Sequence, residues 1–241
     1  MRKLKNSISK RVFFKRHLNE AMQYFEALHL VDASVNDIYE SALRYSGSGY
    51  FESLDIKQSE TEILKFLEFL DSRQLSYVLE IGSHKGGSLF LWAQLLRGRN
   101  GHILSVDLPG GDFGGGLIGG AEQLFQSFVT SEQKLTTIRG DSHSMDTLSR
   151  VETLLEKQQI DFLFIDGDHS YDGVKLDYEM YSSLVRPGGV IAFHDTVHRP
   201  DAPKIEVYRL WNELKASGEE CVDFIASNGG RKIGIGALIK K

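Results

Sequence analysis

A single cysteine, Cys221, stands in the 241 residues, so no internal disulfide can form and a reducing, cytoplasmic setting is expected. No run of eighteen apolar residues occurs, and with it goes any expectation of an integral membrane segment. Val12-Phe13-Phe14 is too short an apolar core for a secretory signal. Acidic residues are missing from positions 1–16, which hold seven Lys or Arg; the rest of the chain carries 21 basic against 33 acidic residues, a formal −12. A body of that sign repels phosphate, so no nucleic-acid partner is expected. The basic arm repeats Leu4, Ile8 and Val12 at helical spacing, which suits an anionic surface but more simply describes a solvated first helix.

What is present is enough for one α/β domain with an appendage: 41% of the residues are hydrophobic, ample for one large core. The most informative stretch is Val78-Leu-Glu-Ile-Gly82-Ser-His-Lys-Gly86-Gly87-Ser88, a short apolar strand running into a glycine-rich turn and then a helix. Such a turn passes close to a ligand where a side chain would clash, and the helix start offers free N–H groups to an anion. Three later apolar runs also end in acids, at Asp107, Asp141 and Asp166. A dinucleotide turn needs a second glycine where this chain has His84. The order Glu80-x-Gly82-x-x-x-Gly86 instead resembles the first motif of the Rossmann-like methyltransferases that use S-adenosylmethionine (SAM). The resemblance implies that Glu80 serves the cofactor's ammonium while Gly82, Ser83, Gly86, Gly87 and Ser88 serve its carboxylate.

Residues 17–45 read as helical, Ser46-Gly-Ser-Gly49 breaks the pattern, and Ser59-Glu-Thr-Glu62 is a capping box opening another helix. From Val78 onward strands and helices alternate, which implies crossover units and a mostly parallel sheet. Two places interrupt the alternation. Leu108 to Gly120 holds seven glycines and reads as a lid or substrate loop. Ser227-Asn-Gly-Gly230 between apolar runs predicts an antiparallel hairpin. The expected fold is α/β: seven strands, mostly parallel with an antiparallel C-terminal edge hairpin, plus N-terminal helices. Residues 1–58 form a helical appendage, offering a lid or a homo-oligomer face, and residues 59–241 the SAM domain.

An acid at the tip of the second strand, Asp107, can accept both hydroxyls of a ribose, with Leu108 next to it. Asp141 and Ser142 follow the third strand; there the resemblance assigns an acid to the adenine amino group, while Asp141 could equally cap the next helix. Asp166-Gly-Asp168-His169-Ser-Tyr171 and Phe193-His194-Asp195 form the richest cluster. Adjacent strand tips bring Asp166 and Asp195 together, and two neighbouring carboxylates call for a cation or a shared proton. Magnesium suits such oxygen-rich sites, and a histidine suits manganese better. From Val78 to Asp195 the chain resembles the metal-dependent O-methyltransferases of the cephalosporin-hydroxylase-like and macrolide-sugar group. That likeness implies metal ligation by Asp166, His194 and Asp195, with histidine departing from the family's acidic pair, and a general base at Asp168 or His169. Imidazole is the better base near neutrality, which favours His169; a structural role at the following helix start, Asp172–Leu184, is its alternative. His84 reads as a turn residue facing solvent, and His143 and His198 have no partner visible in sequence.

The resulting expectation is a SAM-dependent O-methyltransferase acting on a hydroxyl of a small molecule or sugar, with Mg2+ or Mn2+ assistance. The rival readings are an NAD-dependent oxidoreductase or epimerase, and a module that binds SAM without turning it over.

Overall fold

A computed structural model describes residues 2–28, 30, 32–109, 120–228 and 231–241. The glycine-rich stretch 110–119 and the Gly229-Gly230 turn lie outside the described residues. Among the described residues, seven α-helices and seven strands follow in the order α1 (Arg2–Glu26), α2 (Val35–Arg44), α3 (Glu60–Asp71), β1 (Tyr77–Ile81), α4 (Gly87–Leu95), β2 (His102–Asp107), β3 (Lys134–Arg139), α5 (Met145–Leu155), β4 (Ile160–Ile165), α6 (Tyr171–Tyr181), β5 (Val185–Phe193), α7 (Val207–Ala216), β6 (Glu220–Asn228) and β7 (Arg231–Ile239).

The sheet runs β3-β2-β1-β4-β5-β7-β6. The pairs from β3 to β5 are parallel, and β7 runs antiparallel to both β5 and β6. The expected mixed sheet and its edge hairpin are therefore both present. The order in which successive strands are added reverses between β1 and β4, and in open α/β sheets ligands bind beyond the strand ends at such a switch point.

Side chains alternate across the strands, and the two faces bury separate cores. Phe162 and Phe164 of β4 pack with α3 and α4 on one face, while Leu163 and Ile165 pack with α5, α6 and α7 on the other. The N-terminal helices belong to the first of these cores: the Phe25 ring lies 4.6 Å from Tyr45, 5.3 Å from Phe90 and 4.9 Å from Phe128, centre to centre.

Local chemistry sets most boundaries. The helical stretch expected over 17–45 is divided, because Ser34 and Asp37 form a capping box that starts α2 afresh. The box expected at Ser59 and Glu62 opens α3. The helix expected over 172–184 closes at Tyr181 and tightens into a 3₁₀ turn, Ser182–Leu184. Pro187 lies inside β5 rather than at its start, and the β4–β5 register shifts between Ile160 and Phe162, which accommodates the missing N–H.

Candidate active site

A cleft of about 1370 Å³ opens above the C-terminal ends of the parallel strands. Gly82 ends β1 with φ 88°, and a Cβ there would run into the main chain of Asp166 and Gly167. Only glycine permits that approach of the β1 and β4 tips. The turn is then tied to β2, since Asp107 Oδ2 accepts the Ser83 and His84 N–H groups at 3.1 and 2.6 Å. His84 holds φ 47° and lies half-buried on the cleft wall rather than out in solvent, its Nδ1 3.6 Å from Asp55.

The predicted cofactor residues divide into two layers. Gly82, Asp107, Leu108, Asp141, Ser142 and Asp166 line the cleft. Glu80, Ser83, Gly86, Gly87 and Ser88 do not; they form the turn's underside. Glu80 alternates onto the apolar face of β1, where it is fully buried and accepts a hydrogen bond from Trp92 Nε1 at 2.9 Å. Burial pushes its carboxyl up to about 7 against the pull of Ser88, Trp92 and Ser83. Ser83 bonds Ser105 at 2.7 Å, Gly86 faces the Phe125 ring, and Gly87 packs on Leu54 and Ile56. The strand-plus-glycine pattern is legible in sequence, but which side of the turn each residue faces depends on the elements stacked beneath it.

The exposed layer brings the carboxylates of Asp107, Asp141 and Asp166 to the cleft surface. Burial raises Asp107 to about 6, opposed by N–H groups of His84, Ser83 and Leu108. The α5 cap is Ser144, which accepts from Asp146 N–H at 3.3 Å. Asp141 instead accepts from His143 N–H and stays solvent-accessible on the cleft rim, so the capping alternative for Asp141 is not the arrangement seen.

His143 has a partner that sequence did not reveal. Its Nε2 lies 3.3 Å from Oδ1 of Asp177, which is completely buried on α6. The Asp177 contact drives the His143 imidazole up to about 9, although burial works against its charge.

At the other end of the cleft, four predicted residues meet. His194 Nδ1 hydrogen-bonds Asp166 Oδ1 at 3.1 Å, and His169 Nδ1 lies 3.0 Å from Asp195 Oδ2. Asp195 sits in the left-handed region at φ 58°, an uncommon backbone state concentrated at functional sites. Burial disfavours charge on both imidazoles, yet the acids around them hold His194 well above and His169 above the ordinary histidine range. Burial likewise opposes ionisation of Asp195, but His169, His194 and Arg199 keep its carboxyl far below the usual range. Such shifts concentrate at functional sites. Asp168 also lines the cleft, where it accepts the Ser170 N–H at 2.8 Å and packs on Gly173 at the start of α6.

Two members of this network escape a sequence reading. Gln58 donates to Asp166 Oδ2 at 3.0 Å, and Glu62, half of the α3 capping box, lies 3.6 Å from His194 Nε2. Only the unusual presence of both residues at a buried helix start hints at this. As for the expected metal, among the described residues no three His, Cys, Asp or Glu side chains are arranged to hold an ion.

Comparison with known proteins bears on the fold and the domain. Residues 79–196 match the family model of a methyltransferase domain. A protein of Acanthamoeba polyphaga mimivirus is 33% identical over 125 residues, 50% of this chain and 51% of that one; the chain spans about half, or less, of the length of the curated relatives it matches. Among solved structures, an O-methyltransferase from Bacillus cereus, in complex with S-adenosylhomocysteine (SAH), superposes with a TM-score of 0.55 at 19% identity, over 87% of this chain and 91% of that one. The MycE methyltransferase of the mycinamycin biosynthetic pathway, in complex with Mg, SAH and mycinamycin VI, superposes at 0.53 and 20% identity, over 85% and 54%. Residues 79–196, just under half of the chain, are thus a methyltransferase-like domain carried on the Rossmann-like sheet.

Proposed function

We propose that the chain is a SAM-dependent O-methyltransferase whose acceptor is a polar, hydroxylated small molecule or sugar. The observation that carries this is the pairing of two half-sites in one cleft. Gly82, Asp107, Leu108, Asp141 and Ser142 suit the cofactor, and the His169–Asp195 pair stands at the adjoining strand tips. The family match and the O-methyltransferase neighbours support it. SAM, when bound, supplies an electrophilic methyl group on a sulfonium.

The chain's own residues then position the acceptor and take its proton. Asp107 offers a carboxylate to the ribose diol, and Asp141 and Ser142 line the place for the adenine edge. Asp195 holds His169 through Nδ1, leaving Nε2 as the proton acceptor, 3.8 Å from Asp166. Asp168 braces the loop that carries His169. Among the described residues the cleft wall contains no Phe, Tyr or Trp, but it does contain Lys57, Lys85, Arg199, Lys204 and Glu206. Hydrogen-bonding groups without a stacking platform favour a polyhydroxylated acceptor over a flat aromatic one. Residues 59–241 carry the chemistry on this reading, and residues 1–58 cover the cleft through Asp55 and Lys57.

The test separates binding from chemistry. Calorimetric titration should show SAH binding and no NAD binding at the same concentration. His169→Ala should keep SAH affinity while kcat, measured as SAH release with a hydroxylated acceptor, falls about 10²–10⁴-fold, the usual worth of a general base. Asp168→Asn should cost less. Tight NAD binding without SAH binding would overturn the reading, and a dead Asp168 variant beside an active His169 variant would move the base to the carboxylate.

A further inference from the structure

The carboxylates at the tips of β4 and β5 already have protein partners. Asp166 Oδ2 accepts from Gln58 at 3.0 Å and Oδ1 from His194 Nδ1 at 3.1 Å. Asp195 Oδ1 accepts from Arg199 Nη1 at 3.2 Å, and Oδ2 faces His169 Nδ1 at 3.0 Å and His194 Nδ1 at 3.7 Å. All four oxygens are engaged. The third donor that a metal would use is turned away too, because the buried His194 ring hydrogen-bonds Asp166 through Nδ1 and points Nε2 toward Glu62, 3.6 Å away and shielded from solvent, so that neither nitrogen is open to the cleft. Two like charges at adjacent strand tips need a positive partner, and Arg199, a permanent cation, is in contact with one of them.

We propose that this site works without a divalent cation, the ring of His194 occupying the space between Asp166 and Asp195, with Glu62 of α3 beside its Nε2 and Gln58, just before α3, holding Asp166. An acidic residue at 194 would leave the gap lined by carboxylates alone, the oxygen-rich setting that magnesium and manganese take. With imidazole there, Gln58 and Glu62 become positioning residues. Glu62 sits in the first turn of α3 and Gln58 just before its cap, which ties the integrity of the α3 cap to the site. The inference concerns the same cleft as the proposed reaction but does not rest on it, since ion binding is read without turnover.

The experiment is a Mn2+ titration of the full chain followed by paramagnetic resonance, with and without SAH. The free-ion signal should be unaffected by wild-type protein. Treatment with chelator followed by gel filtration should leave SAH affinity within about twofold of the untreated value. His194→Asp should acquire one Mn2+ per chain, and Glu62→Gln, which leaves the carboxylate pair in place, should acquire none. Stoichiometric binding to the wild type that disappears in Asp195→Asn would overturn the proposal, as would a loss of SAH affinity after chelation that Mn2+ restores. Binding that survives in Asp195→Asn and Asp166→Asn would place the ion elsewhere and count in its favour. If SAH fails to bind at all, the reaction proposed above falls, while the Mn2+ result still decides this one.

Discussion

Residues that look alike in the sequence carry different work once their neighbours are known. His143, His169 and His194 are single histidines in polar contexts, yet each lies, half-buried or buried, against a carboxylate supplied from a distant strand or helix. His143 gives the clearest consequence for pH. Its folded value is raised to about 9 by Asp177, against about 6.5 unfolded. A raised value stabilises the fold in full below pH about 6.5, and the contribution shrinks as pH rises until it is gone past pH 9. Its size is on the order of 1–3 kcal/mol, because Asp177 itself is pushed up by burial and offsets part of the gain. Urea unfolding of the wild type should therefore show stability falling between pH 7 and pH 9. In His143→Gln that slope should flatten, and an unchanged slope would show that the pair is not ionised as described.

Elements position these side chains through their ends. The β1 turn works because Gly82 lets two strand tips touch, and because Asp107 from β2 takes up the loop N–H groups. Gly82→Ala should be costly twice over, since φ 88° disfavours any side chain and the added methyl meets the Asp166 backbone. We expect a loss of about 2–4 kcal/mol in chemical denaturation, within the upper range for backbone strain combined with overpacking. SAH affinity should fall as well, because the displaced backbone belongs to the residue at the cleft centre. By contrast Gly98→Ala, also at positive φ but with nothing within 4 Å, should cost about 1 kcal/mol and leave SAH binding alone.

The whole molecule shares cores that no segment completes by itself. Phe25 of α1 packs against Tyr45, Phe90 and Phe128, so the N-terminal helices bury the same surface as α4 and the turn before β3. Phe25→Ala should destabilise the chain by about 3–5 kcal/mol, as for a buried aromatic. The loss should appear as one shifted thermal transition and not as the early melting of a separate N-terminal unit. Two resolved transitions would show that residues 1–58 unfold independently. Among the described residues no helix is long and apolar enough to cross a membrane.

Periodicity and turn chemistry act over a few residues, and for that reason the alternating strands, the capping box at Ser59, the glycine turn at Gly82 and the Asp107, Asp166 and Asp195 strand tips were all legible in the chain itself. The cluster of Asp166, His169, His194 and Asp195 was legible for the same reason: parallel strands place their C-terminal ends side by side. The sequence by itself also determined the sheet class and its antiparallel edge, because Asn228-Gly229 permits only a short return. Tertiary structure alone decided the direction in which each side chain faces. Strand alternation beneath α4 turned Glu80 to Trp92 and away from the cleft, α6 carried Asp177 to His143, and the start of α3 brought Gln58 to Asp166 and Glu62 to His194. Those contacts join residues from 12 to more than 100 positions apart, and no local pattern encodes pairings of that kind; burial of the charged groups then shifts their affinity for protons.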